Sequence, residues 1–206
     1  MQQNDIQLVL QDVRKAYRLI SSYQQKLIEL LDFIKDKLGA EHYYYDTKYG
    51  NPNFKTETFY HDQNFGKKAL PMLDMHLLWQ KTHETPEGGW WQEYVKSQDL
   101  VFDVKIISDD GFDDTKSAEE SNSVLQIYIY QCIKYNRNKD WYNDVWYKSE
   151  YPLLGEIGEY KNDEKQIHYK IYGERLNLAE LCNEQAVLEV LEEFRKRASD
   201  KLGQEI

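Results

Sequence analysis

The chain has 206 residues, with 36 acids against 26 bases, a formal net charge of −10, and 41% hydrophobic content that includes seventeen tyrosines. That apolar fraction supports one packed core and excludes a largely disordered chain. The acid excess argues against duplex DNA or an anionic membrane as the main partner, because both require a local surplus of Lys and Arg.

No apolar run approaches the roughly 18 residues that a bilayer crossing needs. The start, Met1-Gln2-Gln3-Asn4-Asp5, lacks the basic and apolar stretches of a signal peptide. The expectation is a soluble, cytoplasmic protein. Cys132 and Cys182 have no Cys-x-x-Cys spacing and are read as reduced, buried thiols rather than a disulfide or zinc framework.

The strongest signal comes first. Ile6, Leu10, Val13, Tyr17, Ile20, Leu27, Leu31, Ile34 and Leu38 follow alternating steps of four and three, interrupted only by Gln24, which is a heptad seam. Val9, Ala16, Tyr23 and Leu30 run beside it and widen the apolar stripe. Asn4 or Asp5 suits the N-cap, and Gly39 suits a left-handed C-cap, so one helix is predicted over residues 5–38. At 1.5 Å per residue it would be about 50 Å long. A compact chain of this size has a radius of gyration of about 17 Å, hence a diameter of about 43 Å. The helix must span the whole domain, bend, or project, and lying across its own domain is the expected outcome.

Residues 39–98 form an aromatic, turn-rich segment, with Tyr43-Tyr44-Tyr45, Gly50-Asn51-Pro52-Asn53 and a strand near Thr56–Tyr60. Leu70, Leu73, Leu77 and Leu78 stand at helical spacing, and Pro71 suits a first helical turn, so Leu70–Trp79 is read as a short helix or buried apolar segment. Thr85-Pro86-Glu87-Gly88-Gly89 is the clearest break.

From residue 99 to 175 the period becomes two. Leu100, Phe102, Val104 and Ile106 share one strand face, and Leu125, Ile127, Ile129 and Ile133 share another. The opposite face of the second strand carries Gln126, Tyr128, Tyr130 and Cys132. A third strand is predicted over Trp141–Tyr147, and a hairpin over 154–160 and 166–172. A last helix starts at the N-cap Asn183 and runs to Leu202, with Val187, Leu191, Phe194 and Ala198 inward. The fold class is therefore a single α+β domain over 1–206: a long N-terminal helix, an antiparallel meander of four or five strands, and a C-terminal helix packed on the sheet.

Three features carry chemistry. Residues 84–120 hold eleven acids and three bases, and within them Asp109, Asp110, Asp113 and Asp114 surround Gly111 and Phe112. This loop lacks the Asp-x-Asp-x-Asp-Gly register of an EF-hand. It is read as a solvated turn, with a basic protein as the alternative occupant. Asp103 and Lys105 point to one side of their strand. That pattern suits a metal-dependent nuclease in which the carboxylate holds the metal and Lys orients water. Such a site needs a further acid, with Glu84, Glu87, Glu93 and Asp99 as candidates. A salt-bridged pair on the exposed face is the simpler reading. Five histidines, His42, His61, His76, His83 and His168, show no metal-ligand spacing, and neither a phosphate loop nor a nucleophile elbow occurs.

The function expected from these features is a non-enzymatic intracellular protein-binding or inhibitory protein without cofactor or metal. It acts through the acidic surface of Asp109, Asp110, Asp113 and Asp114 and through the long helix, with Ile6 and Leu10 at its free end. Its partner is another protein with a basic surface, or a second copy that dimerises through the N-terminal helix. The alternatives are a nuclease or phosphodiesterase on Asp103 and Lys105, and an inhibitor that mimics nucleic acid.

Overall fold

A computed structural model describes residues 3–50, 61–63, 65–81, 95–113, 116–135 and 141–206. The fold is α+β. Helix α1 (Gln3–Leu38) leads into strand β1 (Glu41–Thr47). A short helix α2 (Phe65–Lys68) and a 3-10 turn at Pro71–Leu73 precede β2 (Asp74–Lys81), β3 (Leu100–Ile107) and β4 (Val124–Lys134). Helix α3 (Trp141–Asp144) and a 3-10 turn at Trp146–Lys148 follow, then β5 (Ile157–Asn162), β6 (Ile167–Asn177), a 3-10 turn at Leu178–Glu180 and helix α4 (Glu184–Leu202).

The six strands form one antiparallel sheet in the order β1-β2-β3-β4-β6-β5. The first four run as a meander, but the one expected within 99–175 contains only β3 and β4 of these; β1 and β2 precede it and bring the count to six instead of four or five. The last two depart from it, because β6 pairs with β4 and leaves β5 on the edge.

The period-two pattern sorts side chains onto two faces. On one, Leu100, Phe102, Val104, Ile106, Leu125, Ile127 and Ile129 pack under α1 and α4. Helix α1 contributes Leu27, Leu31, Ile34 and Leu38, and α4 contributes Val187, Leu191, Phe194, Ala198 and Leu202. On the other, Leu78, Val101, Tyr128, Tyr130, Cys132, Tyr169 and Ile171 pack under Trp141 and Val145.

Of the predicted caps, those at Gly39 and Asn183 are present, whereas Asn4 and Asp5 are not the N-cap of α1 but lie within its first turn. Asn183 accepts the Ala186 N–H at 3.0 Å, and Gly39 and Gly203 adopt φ of +64° and +69°, the left-handed conformation that closes a helix.

Two predicted elements are different in the structure. Leu70–Trp79 is not a helix, since residues 74–81 are strand β2. Between β1 and β3, β2 is covered on both faces, and a strand buried on both sides loses the alternation that would identify it. Trp141–Tyr147 is not a strand. It folds into two short helical turns that lay Trp141 on Tyr43 and Tyr130, at ring separations of 5.3 and 6.1 Å. The strand expected near Thr56–Tyr60 lies outside the described residues. Among those described, no helix is long and apolar enough to cross a membrane.

Candidate functional site

Helix α1 is held to the domain only over its C-terminal half. Tyr23 donates or accepts a 2.8 Å hydrogen bond with Ser108 just beyond β3, and Leu27, Leu31, Ile34 and Leu38 are buried. Every residue from 4 to 19 is exposed. At 1.5 Å per residue this is a projecting rod about 24 Å long. The heptad seam does not end where the domain does, so Ile6, Leu10, Val13 and Tyr17 continue it into solvent. Leu19 and Tyr17 are 72% and 71% exposed. The helix lies on its domain only over its C-terminal half, and its N-terminal half projects. Beside Tyr23 and Leu30 a groove of about 470 Å³ opens between α1 and the start of α4, floored by Phe33, Leu178, Leu181 and Val187. Soluble proteins rarely leave a contiguous apolar stripe of this kind uncovered.

The second feature is built on Asp103. Asp103 and Lys105 do share a face of β3, but they are not a pair, and only Lys105 is partly exposed. Asp103 has 0% exposure. Its Oδ1 accepts from His76 Nδ1 at 2.8 Å. Its Oδ2 accepts from the indole N–H of Trp146 at 2.6 Å and from the hydroxyl of Tyr151. Lys105 turns instead toward Asp74, with Nζ 3.8 Å from Oδ1. The three donors come from β2 and from the segment following α3, so one carboxylate ties this covering segment to the middle of the sheet.

The cluster is close-packed. Tyr128 lies 4.3 Å from Tyr151, centroid to centroid, and across from it β6 carries Gly173. A Cβ at Gly173 would fall 2.2 Å from Tyr128 Cδ1, so only glycine lets that ring lie flat over β6. Burial, with the Asp103 charge second, holds the hydroxyls of Tyr128, Tyr130 and Tyr151 above the ordinary tyrosine range. All three remain protonated donors at neutral pH.

A carboxylate oxygen accepts, so the His76 ring turns its Nδ1 side toward Asp103. A metal-dependent nuclease needs more than this. Both Asp103 oxygens already have donors, and Asp99 is occupied at the start of β3 by the Lys96 N–H at 2.8 Å. Glu84, Glu87 and Glu93 lie outside the described residues. Among the described residues no three of His, Cys, Asp or Glu are placed to hold a metal. His76, Trp146 and Tyr151 were not legible as partners of Asp103, because only strand register and the fold of residues 141–151 bring them together.

Three of the four acids of the acidic loop are engaged by other groups of the chain. Asp110 accepts from the Asn122 N–H at 2.8 Å and from Arg175 at 2.7 Å, and Asp109 accepts from the Gly111 N–H at 3.0 Å. Asp113 is gripped by Lys67, Tyr49 and Lys48. Asp114 lies outside the described residues. Hydrogen bonds from Lys67, Tyr49 and Lys48 hold the Asp113 carboxyl well below its ordinary range. Its contribution to stability is thus present above the unfolded value of about 4 and lost as pH falls through the lowered folded value. Acid titration followed by carboxyl NMR should show Asp113 ionised at pH 3, and Asp113→Asn should move the start of acid unfolding to higher pH.

The two thiols also separate. Cys132 is buried, but Cys182 is exposed, contrary to the reading of both as buried. Desolvation pushes the Cys132 thiol up to about 12, leaving almost no thiolate at neutral pH. Native protein should therefore take up one equivalent of iodoacetamide at Cys182 and a second only after denaturation, which intact-mass measurement will count.

Residues 3–203 match the family described as PM0109. A protein of Pasteurella multocida (strain Pm70), described as "Uncharacterized protein PM0109", is 50% identical over 207 residues, spanning 100% of this chain and 100% of its own. No solved structure matches the chain. With nearly the whole length matched, projecting helix and sheet alike, the chain belongs to the PM0109 family.

Proposed function

We propose that this is a non-enzymatic, intracellular protein-binding protein whose docking element is the projecting half of α1. The observation that carries this reading is the exposure of every residue from 4 to 19 along an unbroken heptad seam. Ile6, Leu8, Val9, Leu10, Val13, Tyr17 and Leu19 are together too much apolar surface to be left to water. An amphipathic helix that presents anchors at steps of three and four is a recurrent recognition element. The acidic loop plays a smaller part than its composition suggests, since Asp109, Asp110 and Asp113 are engaged within the chain. A phosphodiesterase on Asp103 and Lys105 is set aside for the same reason.

The test is capture of partners from the native cell with wild-type protein and with the double variant Ile6→Glu, Leu10→Glu. Both positions are exposed, so the variant should keep the wild-type melting temperature and lose the captured protein. Equal capture by both proteins would overturn the reading.

A further inference from the structure

We propose that residues 4–19 pair antiparallel with the same segment of a second copy of this chain, around a two-fold axis between Gln11 and Asp12. This rests on the reading of the projecting helix as a docking element and names its occupant.

In heptad terms Leu10 and Tyr17 occupy one core position, and Ile6 and Val13 the other. An antiparallel pair stacks the first kind of position on the second. With the axis between Gln11 and Asp12, Leu10 faces Val13 of the second copy and Ile6 faces its Tyr17. All four layers are then apolar and each is large against medium. Val9 and Ala16 flank one edge of the seam and meet across it, while Gln7 and Arg14 flank the other, so the polar edge stays wet.

Charge selects the orientation. Residues 4–12 carry Asp5 and Asp12 and no base, whereas residues 13–19 carry Arg14, Lys15 and Arg18 and no acid. An antiparallel pair lays the acidic half of each rod on the basic half of the other, and it opposes the two helix dipoles. A parallel pair would stack bases on bases and acids on acids. The segment is thus complementary to itself, the requirement for an isologous two-fold contact.

The geometry of the rod agrees. Tyr23 is where α1 meets its domain through Ser108. An overlap confined to residues 4–19 therefore leaves the two domains at opposite ends of a joint about 24 Å long, clear of one another. Leu8 and Leu19 lie outside the seam. Two rods of little more than two heptads make a small interface, so the association is reversible and concentration-dependent.

Sedimentation equilibrium on the full chain from about 1 µM to about 1 mM, the range in which a contact of this size dissociates, tests the proposal. The mass should rise from 24.7 kDa toward twice that value. Leu10→Glu with Val13→Glu should stay at the single-chain mass throughout, with an unchanged melting temperature at low concentration. Orientation is read in a Cys182→Ser background with a short bis-maleimide. Chains carrying Leu10→Cys, mixed with chains carrying Val13→Cys, should cross-link to each other. Cross-linking of the Leu10→Cys chain to itself, with none in the mixture, would overturn the antiparallel register. A wild-type mass of one chain at 1 mM would overturn the second copy as occupant. In that case, persistent loss of captured protein in the Ile6→Glu, Leu10→Glu variant leaves the helix a docking element for another partner. Unchanged capture removes both.

Discussion

Asp103→Ala is expected to lower the free energy of unfolding by about 3–5 kcal/mol, the range seen when one member of a buried, hydrogen-bonded charge cluster is removed. The loss arises from the groups left behind. Deleting the carboxylate strands the His76 Nδ1, the indole N–H of Trp146 and the hydroxyl of Tyr151, all aimed at a site with no water-exposed surface. Each buried donor left without a partner costs about 1–3 kcal/mol. Urea unfolding read by Trp fluorescence measures this directly, and the native baseline should also change as Trp146 loosens from the sheet. Asp103→Asn, which keeps the shape but offers one acceptor oxygen in place of two, should fall between Ala and wild type. Lys105→Ala is the control. Its ammonium is 3.8 Å from Asp74 and partly exposed, so about 1 kcal/mol or less is expected. A loss below 1 kcal/mol for Asp103→Ala would return Asp103 to the exposed pair that alternation alone suggests.

Ile34→Ala should cost about 2–5 kcal/mol, the usual range for truncating a buried Ile. Ile6→Ala should change the unfolding of the dilute monomer by no more than about 0.5 kcal/mol. The two residues are chemically the same and occupy the same heptad position of the same helix. Ile34 has 0% exposure among Phe102, Leu191 and the rest of the core, and Ile6 is 41% exposed on the rod. Chemical denaturation of both variants at about 1 µM, below the range in which the rods pair, isolates the monomer. Comparable losses in the two variants would mean that residues 4–19 pack on the domain in solution and do not project.

The contrast between these two isoleucines shows how much can be read before folding. A seam of period three and a half, a cap-forming Asn and a glycine suited to the left-handed region are local properties. Each is enough to place an element's kind and its end. That is why α1, with Gly39 after it, and α4, from Asn183 to Gly203, stand where their residues indicate. The faces of β3 and β4 were legible for a similar reason. One side is aliphatic at every second residue, and the other carries Tyr128, Tyr130 and Cys132. β2 and the segment 141–148 were not legible. Burial on both faces removes the alternation of β2, and the aromatic run from Trp141 to Tyr147 serves equally well as a strand or as a lid of short turns. Only the contacts of Trp141 with Tyr43 and Tyr130 choose between these.

The sequence by itself determined the two helices, the caps at Gly39 and Asn183, the alternation of the central strands, and the stripe of apolar side chains along α1, because each depends on residues within a turn or two of one another. Tertiary structure alone decided the order of the last two strands, the partners of Asp103, the engagement of Asp110 by Arg175 and of Asp113 by Lys48 and Lys67, and the point near Tyr23 at which α1 leaves its domain. Those depend on register between strands distant in the chain and on how far the sheet extends beneath the helix. A heptad repeat carries no mark of where its cover ends.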